Sequence, residues 1–232
     1  ENAIPEKTKS FETGFDVALF DNALELEFTY YNSSMHNSYL LIQDAGRQRP
    51  VNSGVIRNSG IETTVSYNLF DSKDFLWKTS VNFSYNNNVI VKTYRDSNGR
   101  EMPTEQSIAN NKLKVKYKEG GSYGDIYATD FKRDEQGNIV LTGGRPTLSD
   151  KKFEMYVGNM NAKYQLGWSN SFSYKNATLY FLIDGKIGGK VVSFTEAELD
   201  RLGSSQRTAN ARLAAERDPS LVWNGQPAVV MP

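Results

Sequence analysis

Cysteine is absent from the 232 residues, and histidine occurs once, at His36. The first absence excludes disulfide staples, zinc–thiolate sites and cysteine nucleophiles. The second leaves no histidine cluster for a metal and argues against a serine triad. Surplus charge is missing too. The 27 basic and 27 acidic side chains cancel, which argues against a nucleic-acid partner held by a broad positive field. No run approaches the roughly 18 apolar residues of a membrane helix, and mean hydropathy is −0.57. The opening Glu1-Asn2-Ala3-Ile4-Pro5 does not read as a signal peptide. None of this excludes a membrane, because a transmembrane β-barrel hides its apolar face in every second residue. The 13 Tyr, 12 Phe and 3 Trp suit such a barrel.

Alternation of period 2 predicts six long strands, near 8–20, 23–31, 60–70, 75–87, 163–174 and 177–188. The fourth is the clearest. Phe75, Trp77, Thr79, Val81, Phe83 and Tyr85 oppose Leu76, Lys78, Ser80, Asn82, Ser84 and Asn86. The apolar faces hold 32 residues and no charge, whereas random placement would put about seven there. Lys or Arg near a bilayer midplane costs about 2–4 kcal/mol, which accounts for the absence. The other face is wet and mildly acidic. Glu12, Asp16, Glu62, Lys78, Asn82 and Asp184 are read there as lumen-facing.

Connections alternate in length. Residues 20–23, 70–74 and 175–176 make short turns, while 32–59, 88–162 and 189–232 are expected as long extracellular loops. Short turns on one side and long loops on the other is the outer-membrane layout. A soluble β-sandwich also alternates, but its strands are shorter and its loops have no reason to sort by length. Aromatics lie near both strand ends, as interfacial girdles do. Six strands cannot close a barrel, and an open edge in lipid is not tolerated. The whole span 1–232 is therefore expected to be part of a larger antiparallel transmembrane β-barrel.

Within the loops, Glu135-Gln136-Gly137 reads as the turn of a small hairpin over 130–142. Thr195 and Glu198 suggest a capping box for a helix ending at Gly203, and a second helix is expected over 205–217. Other patterns carry little chemistry. Gly185 to Lys190 lacks phosphate-loop spacing, and Asp96-Ser97-Asn98-Gly99 lacks the later acidic ligands of a calcium loop. Asn32, Asn82 and Asn176 head sequons by chance. The acidic neighbours Glu25 and Glu27 line a wet wall more naturally than they form a glycosidase pair. No enzyme activity and no cofactor are expected.

Several ordered motifs resemble the SusC/RagA-type TonB-dependent outer-membrane transporters. Pro5-Glu6 with Ser10-Phe11-Glu12-Thr13-Gly14 is similar to a strand entry of that family. So is the run Asn52 to Glu62, which reads N-x-G-x-I-x-N-x-G-x-E. Glu119-Gly120-Gly121-Ser122-Tyr123-Gly124-Asp125-Ile126-Tyr127 and Gly158-Asn159-Met160-Asn161 are similar to its outer-loop signatures, as is Phe181 to Val192. Ala162 stands where the family often has Pro. The resemblance implies a barrel of about 22 strands around an internal plug, in the outer membrane of a Gram-negative, Bacteroidota-like bacterium. It implies a SusD-like lipoprotein lid and TonB pulling on the plug, neither plug nor TonB contact being expected within this chain. The implied cargo is an oligosaccharide or oligopeptide. Tyr123, Tyr127 and Trp223, whose aromatic faces stack on such ligands, and Arg145 are candidate contacts to substrate or partner. A surface-binding barrel without transport and a ferric-chelate receptor are the competing readings.

Overall fold

Strands form where alternate side chains can face different solvents, and most of this chain meets that condition. A computed structural model describes residues 4–102, 104–108, 112–143, 145–218, 222–223 and 226–227, with the side chains of Arg145, Val222, Trp223, Gln226 and Pro227 outside the description. In chain order the strands are β1 (Lys7–Leu19), β2 (Leu24–Asp44), β3 (Arg47–Asp71) and β4 (Phe75–Lys92). Shorter strands follow: β5 (Thr104–Ile108), β6 (Leu113–Tyr117), β7 (Asp125–Ala128), β8 (Leu141–Thr142), β9 (Arg145–Pro146) and β10 (Met155–Asn159). Then come β11 (Ala162–Tyr174), β12 (Ala177–Gly188), the helices α1 (Phe194–Arg201) and α2 (Gln206–Arg217), and the short pair β13 (Val222–Trp223) and β14 (Gln226–Pro227).

One compact unit comprises 1–106, 114–127 and 156–190. It carries an antiparallel six-stranded sheet in the order β1-β2-β3-β4-β11-β12. Its registers bring the six alternations into phase. Val17, Leu26, Val65, Val81, Trp168 and Ile183 form one cross-strand row. The next row is Asp16, Glu27, Thr64, Asn82, Gly167 and Asp184. Directly paired residues share a face, so one face is apolar and the other polar across all six strands. Stacked rings lace the apolar face: Phe15 on Phe28 at 5.4 Å, Trp77 on Phe172 at 5.1 Å, Tyr85 on Tyr164 at 5.2 Å. On the polar face Lys78 bridges Glu25 at 2.8 Å, and Ser66 donates to Ser80 at 2.9 Å.

Within this unit, no layer of described residues covers the apolar face. Trp168 is 44% exposed and Phe181 37%, with Leu179 and Ile183 more exposed still. A sandwich would bury these side chains, so their exposure separates the two architectures. Two tryptophans keep their indole N–H groups satisfied in the plane of this face. Trp77 donates to Asn170 Oδ1 at 3.0 Å and Trp168 to Thr79 Oγ1 at 2.9 Å.

The stretch 32–59, expected as a loop, is strand instead. β2 and β3 run on as one hairpin to a tip at Ala45 and Gly46, with φ of 48° and 79°. Gly46 suits that left-handed backbone. Beyond the apolar band neither face meets hydrocarbon, so alternation fades while the ladder hydrogen bonds persist. The hairpin gains a small core of its own: Leu40, Ile42 and Val51, with Tyr94 and Met102 against it. For the same reason β4 continues past Asn87 to Lys92. The segment 88–162 likewise holds structure, a four-stranded sheet ordered β10-β7-β6-β5.

The other unit comprises 107–113, 128–155 and 191–232. The small hairpin is present, with Gly137 at φ 86° and the Asp134 amide donating to Asn138 O at 2.9 Å. Both helices form, but Ser193 caps α1 in place of Thr195. Its Oγ accepts from the Glu196 amide at 3.1 Å, and Glu198 bonds Arg201 instead. Ser193-x-x-Glu196 satisfies the same capping pattern two residues earlier. Ser205 caps α2, accepting from the Thr208 amide at 3.1 Å.

Candidate functional site

The polar face ends, away from the short turns, in a cavity of about 560 Å³. Its floor comes from β2, β3 and β4 and includes Met35, Ile56, Asn58, Asn86 and Asn88. Tyr39 and Glu6 close one side; Ser122, Tyr123, Asn159, Asn161 and Lys163 close the other.

The turn that carries Tyr123 is held tightly. Gly120 donates to Ile90 O and the Ile90 amide to Gly121 O, both at 2.8 Å. Gly124 has φ 97°, and a Cβ there would stand 2.9 Å from Asn161 Nδ2, so the glycine permits both the backbone and the contact. Asn88 Oδ1 accepts from the Tyr123 amide at 2.6 Å and from Ser122 Oγ at 3.1 Å. Asn161 Nδ2 donates to Tyr123 O at 2.8 Å, and Asn159 Nδ2 reaches Asp125 Oδ1 at 2.8 Å. Below, Glu119 pairs with Arg95 and accepts from the Thr93 amide. Arg95, followed by that amide, holds the Glu119 carboxyl below its ordinary range.

Some hydrogen-bonding capacity is left over. Asn58 accepts from Asn88 and Asn86 accepts from Tyr31. Their Nδ2 groups, like Asn161 Oδ1, carry no hydrogen bond among the described residues. The site thus offers neutral donors and acceptors, the half-exposed Tyr123 ring, one carboxylate and one ammonium. Tyr123 packs on Tyr117 at 4.9 Å, and burial with the Tyr123 bond pushes the Tyr117 phenol up. The Tyr117 ring therefore stays neutral near pH 7.

Of the expected contact residues, Tyr123 lines the cavity. Tyr127 does not: it sits under Lys118, whose Nζ lies 4.7 Å above the ring, and edge-on to Tyr156. The side chains of Arg145 and Trp223 lie outside the described residues. Glu12, Asp16, Glu62, Lys78, Asn82 and Asp184 share the polar face. The asparagines and Lys163 were missed by sequence reasoning. The run Asn86-Asn87-Asn88 and the motif Gly158 to Asn161 were the available signals.

A family model described as TonB dependent receptor-like, beta-barrel matches residues 3–184. The chain belongs to this family. Barrels of the family are outer-membrane proteins of Gram-negative bacteria, and it is not a family of enzymes. Two TonB-dependent receptors of Formosa agariphila are similar, at 26% and 22% identity over 88% and 80% of this chain. The match takes in 22% of each, so the chain spans about a fifth of their length. Among solved structures, the RagAB peptide transporter is similar with a TM-score of 0.57 and 18% identity, over 79% of this chain and 21% of that one. Its open-open state gives 0.58 and 17%. This likeness concerns the fold.

Proposed function

We propose that the receptor to which this wall belongs imports an oligomer, a saccharide or a peptide, across the outer membrane of a Bacteroidota-like bacterium. TonB supplies the work through a plug inside the barrel, and a SusD-like lipoprotein presents the cargo from outside. In this reading the polar face lines the lumen, with Glu12, Asp16, Glu62, Lys78, Asn82 and Asp184 along the wet path. The cavity at its outer end touches cargo on entry. The observation that carries the reading is the meeting of unspent carboxamides with an exposed Tyr123 ring on the lumen side of the wall. Such groups serve hydroxyls and peptide units alike, and an aromatic face adds stacking.

The test is uptake by the full-length receptor. Asn86→Leu with Tyr123→Ala should raise the half-saturating concentration of cargo about tenfold, the loss of two contacts of roughly 0.7 kcal/mol each, at unchanged surface level. Unaltered uptake removes the cavity from the path. Uptake of a ferric chelate and no oligomer favours the iron-receptor reading, and adhesion without uptake favours the surface-binding one. Co-purification of a lipoprotein supports the lid.

A further inference from the structure

Charges cancel over the whole chain, yet they are not mixed in the two rows that follow the apolar face of β1 to β4. On β1 the apolar face runs Leu19, Val17, Phe15, Thr13, Phe11 and continues, with no register shift, to Lys9 and Lys7. Lys9 shares a row with Ser34, Arg57 and Val89. Lys7 shares the next with His36, Val55 and Lys92. Lys7, Lys9 and Arg57 continue the apolar face, since paired residues share a face, and a bulge that leaves Val91 without a paired residue sets Lys92 opposite Val55 in the same row. Neither row holds an Asp or Glu, nor does the row below, Phe11, Asn32, Ser59 and Asn87. Lys7, Lys9, Arg57 and Lys92 are exposed, and none has a salt bridge or side-chain hydrogen bond among the described residues.

Their level is as telling as their sign. From Leu19 to Phe11 the strand rises about 27 Å, and a tilt of about 40° makes that an apolar band roughly 20 Å tall, close to the span of outer-membrane barrels. The cations begin one residue pair above it, opposite the short-turn end, where hydrocarbon gives way to head groups. Three strand spacings separate β1 from β4, so the patch is about 14 Å wide.

We propose that Lys7, Lys9, Arg57 and Lys92 form an outward-facing basic belt that binds the phosphates of the phosphorylated glycolipid of the outer leaflet. Ammonium and guanidinium groups bind phosphate by charge-assisted hydrogen bonds, and guanidinium does so bidentately. The patch continues the lipid-facing band, which selects a lipid over a soluble anion. The cargo cavity lies on the opposite face. The proposal rests on the apolar face meeting lipid and is independent of what the receptor imports.

The test uses full-length receptor extracted from native membranes in mild detergent, with retained lipid identified by native mass spectrometry. Wild type should retain phosphorylated glycolipid. The variant Lys7→Gln, Lys9→Gln, Arg57→Gln, Lys92→Gln should retain at least tenfold less, while keeping its heat-modifiable barrel. Lys132→Gln with Lys151→Gln should retain the wild-type amount. If the fourfold variant fails to assemble, the swap Lys7→Arg, Lys9→Arg, Arg57→Lys, Lys92→Arg keeps the charge and should keep the lipid, and wild-type barrel offered dephosphorylated glycolipid should not bind it. Equal retention by wild type and the fourfold variant overturns the proposal. So does retention of glycerophospholipid alone, or displacement by millimolar inorganic phosphate, which would make the belt a soluble-anion site.

Discussion

Val81 and Asn82 are neighbours in sequence and opposites in surroundings. Val81 belongs to the exposed apolar row with Val65 and Trp168; Asn82 lies on the polar face, across Gly167, where any Cβ would collide with its carboxamide. Val81→Arg should destabilise the assembled barrel by about 2–4 kcal/mol, and Asn82→Arg should be tolerated. The heat-modifiable fraction of the two full-length variants measures this, and equal fractions would mean the faces are assigned the wrong way round. A second expectation concerns Glu119. Its folded pKa is depressed by Arg95 and the Thr93 amide. The tie is therefore fully present above the unfolded value, near 4.3, and is lost as pH falls through the lower folded value. Amide exchange at Thr93, corrected for its intrinsic rate, should stay protected at pH 7 and 5 and open only in stronger acid. Glu119→Gln should abolish that pH dependence. Face assignment was legible residue by residue because a lipid face excludes charge. The partners of Glu119 were not, because Arg95 and Thr93 are more than 20 residues away.

Strand lengths follow a different logic from strand faces. Alternation reports only the portion of β2, β3 and β4 that separates lipid from water. Their outer portions, Asn32 to Asp44, Arg47 to Ser59 and Asn88 to Lys92, are held by ladder hydrogen bonds and by the Leu40, Ile42 and Val51 cluster. No periodic signal marks them. The helices show the reverse case. Their existence was legible from caps and glycine, while the choice of Ser193 over Thr195 rested on geometry one turn away. At α2 the cap is doubly used: Ser205 accepts from Thr208 N and donates to Asp200, which also holds Arg207. Ser205→Ala should loosen the first turn by about 1 kcal/mol, read as roughly fivefold faster exchange at the Thr208 amide. Unchanged exchange would show that Asp200 and Arg207 hold the turn without the cap.

At the scale of the molecule, the six-stranded sheet has β1 and β12 as its edges. Among the described residues each edge presents a row of peptide groups with no neighbouring strand, which lipid does not satisfy. Residues 1–232 expressed alone and offered to bilayers should therefore give no heat-modifiable, detergent-resistant band, whereas the full-length receptor should. A resistant monomeric band from the segment would contradict an open wall. The same scale explains the thin interior. Among the described residues, the buried apolar side chains are few, with Leu40, Ile42 and Val51 as a small cluster, because the large apolar surface faces outward.

From the amino-acid order alone came the two faces, the short turns and the barrel class, since each depends on chemistry local in sequence, while the motif around Tyr123 stood out by its family resemblance. The tertiary structure decided the rest. Pairing in register across β1 to β4 set Lys7 and Lys9 beside Arg57 and Lys92, and folding Gly120 onto Ile90 carried Tyr123 over Asn58 and Asn86. Contacts between residues tens of positions apart leave no periodic trace, so only the closed hydrogen-bond ladders reveal them.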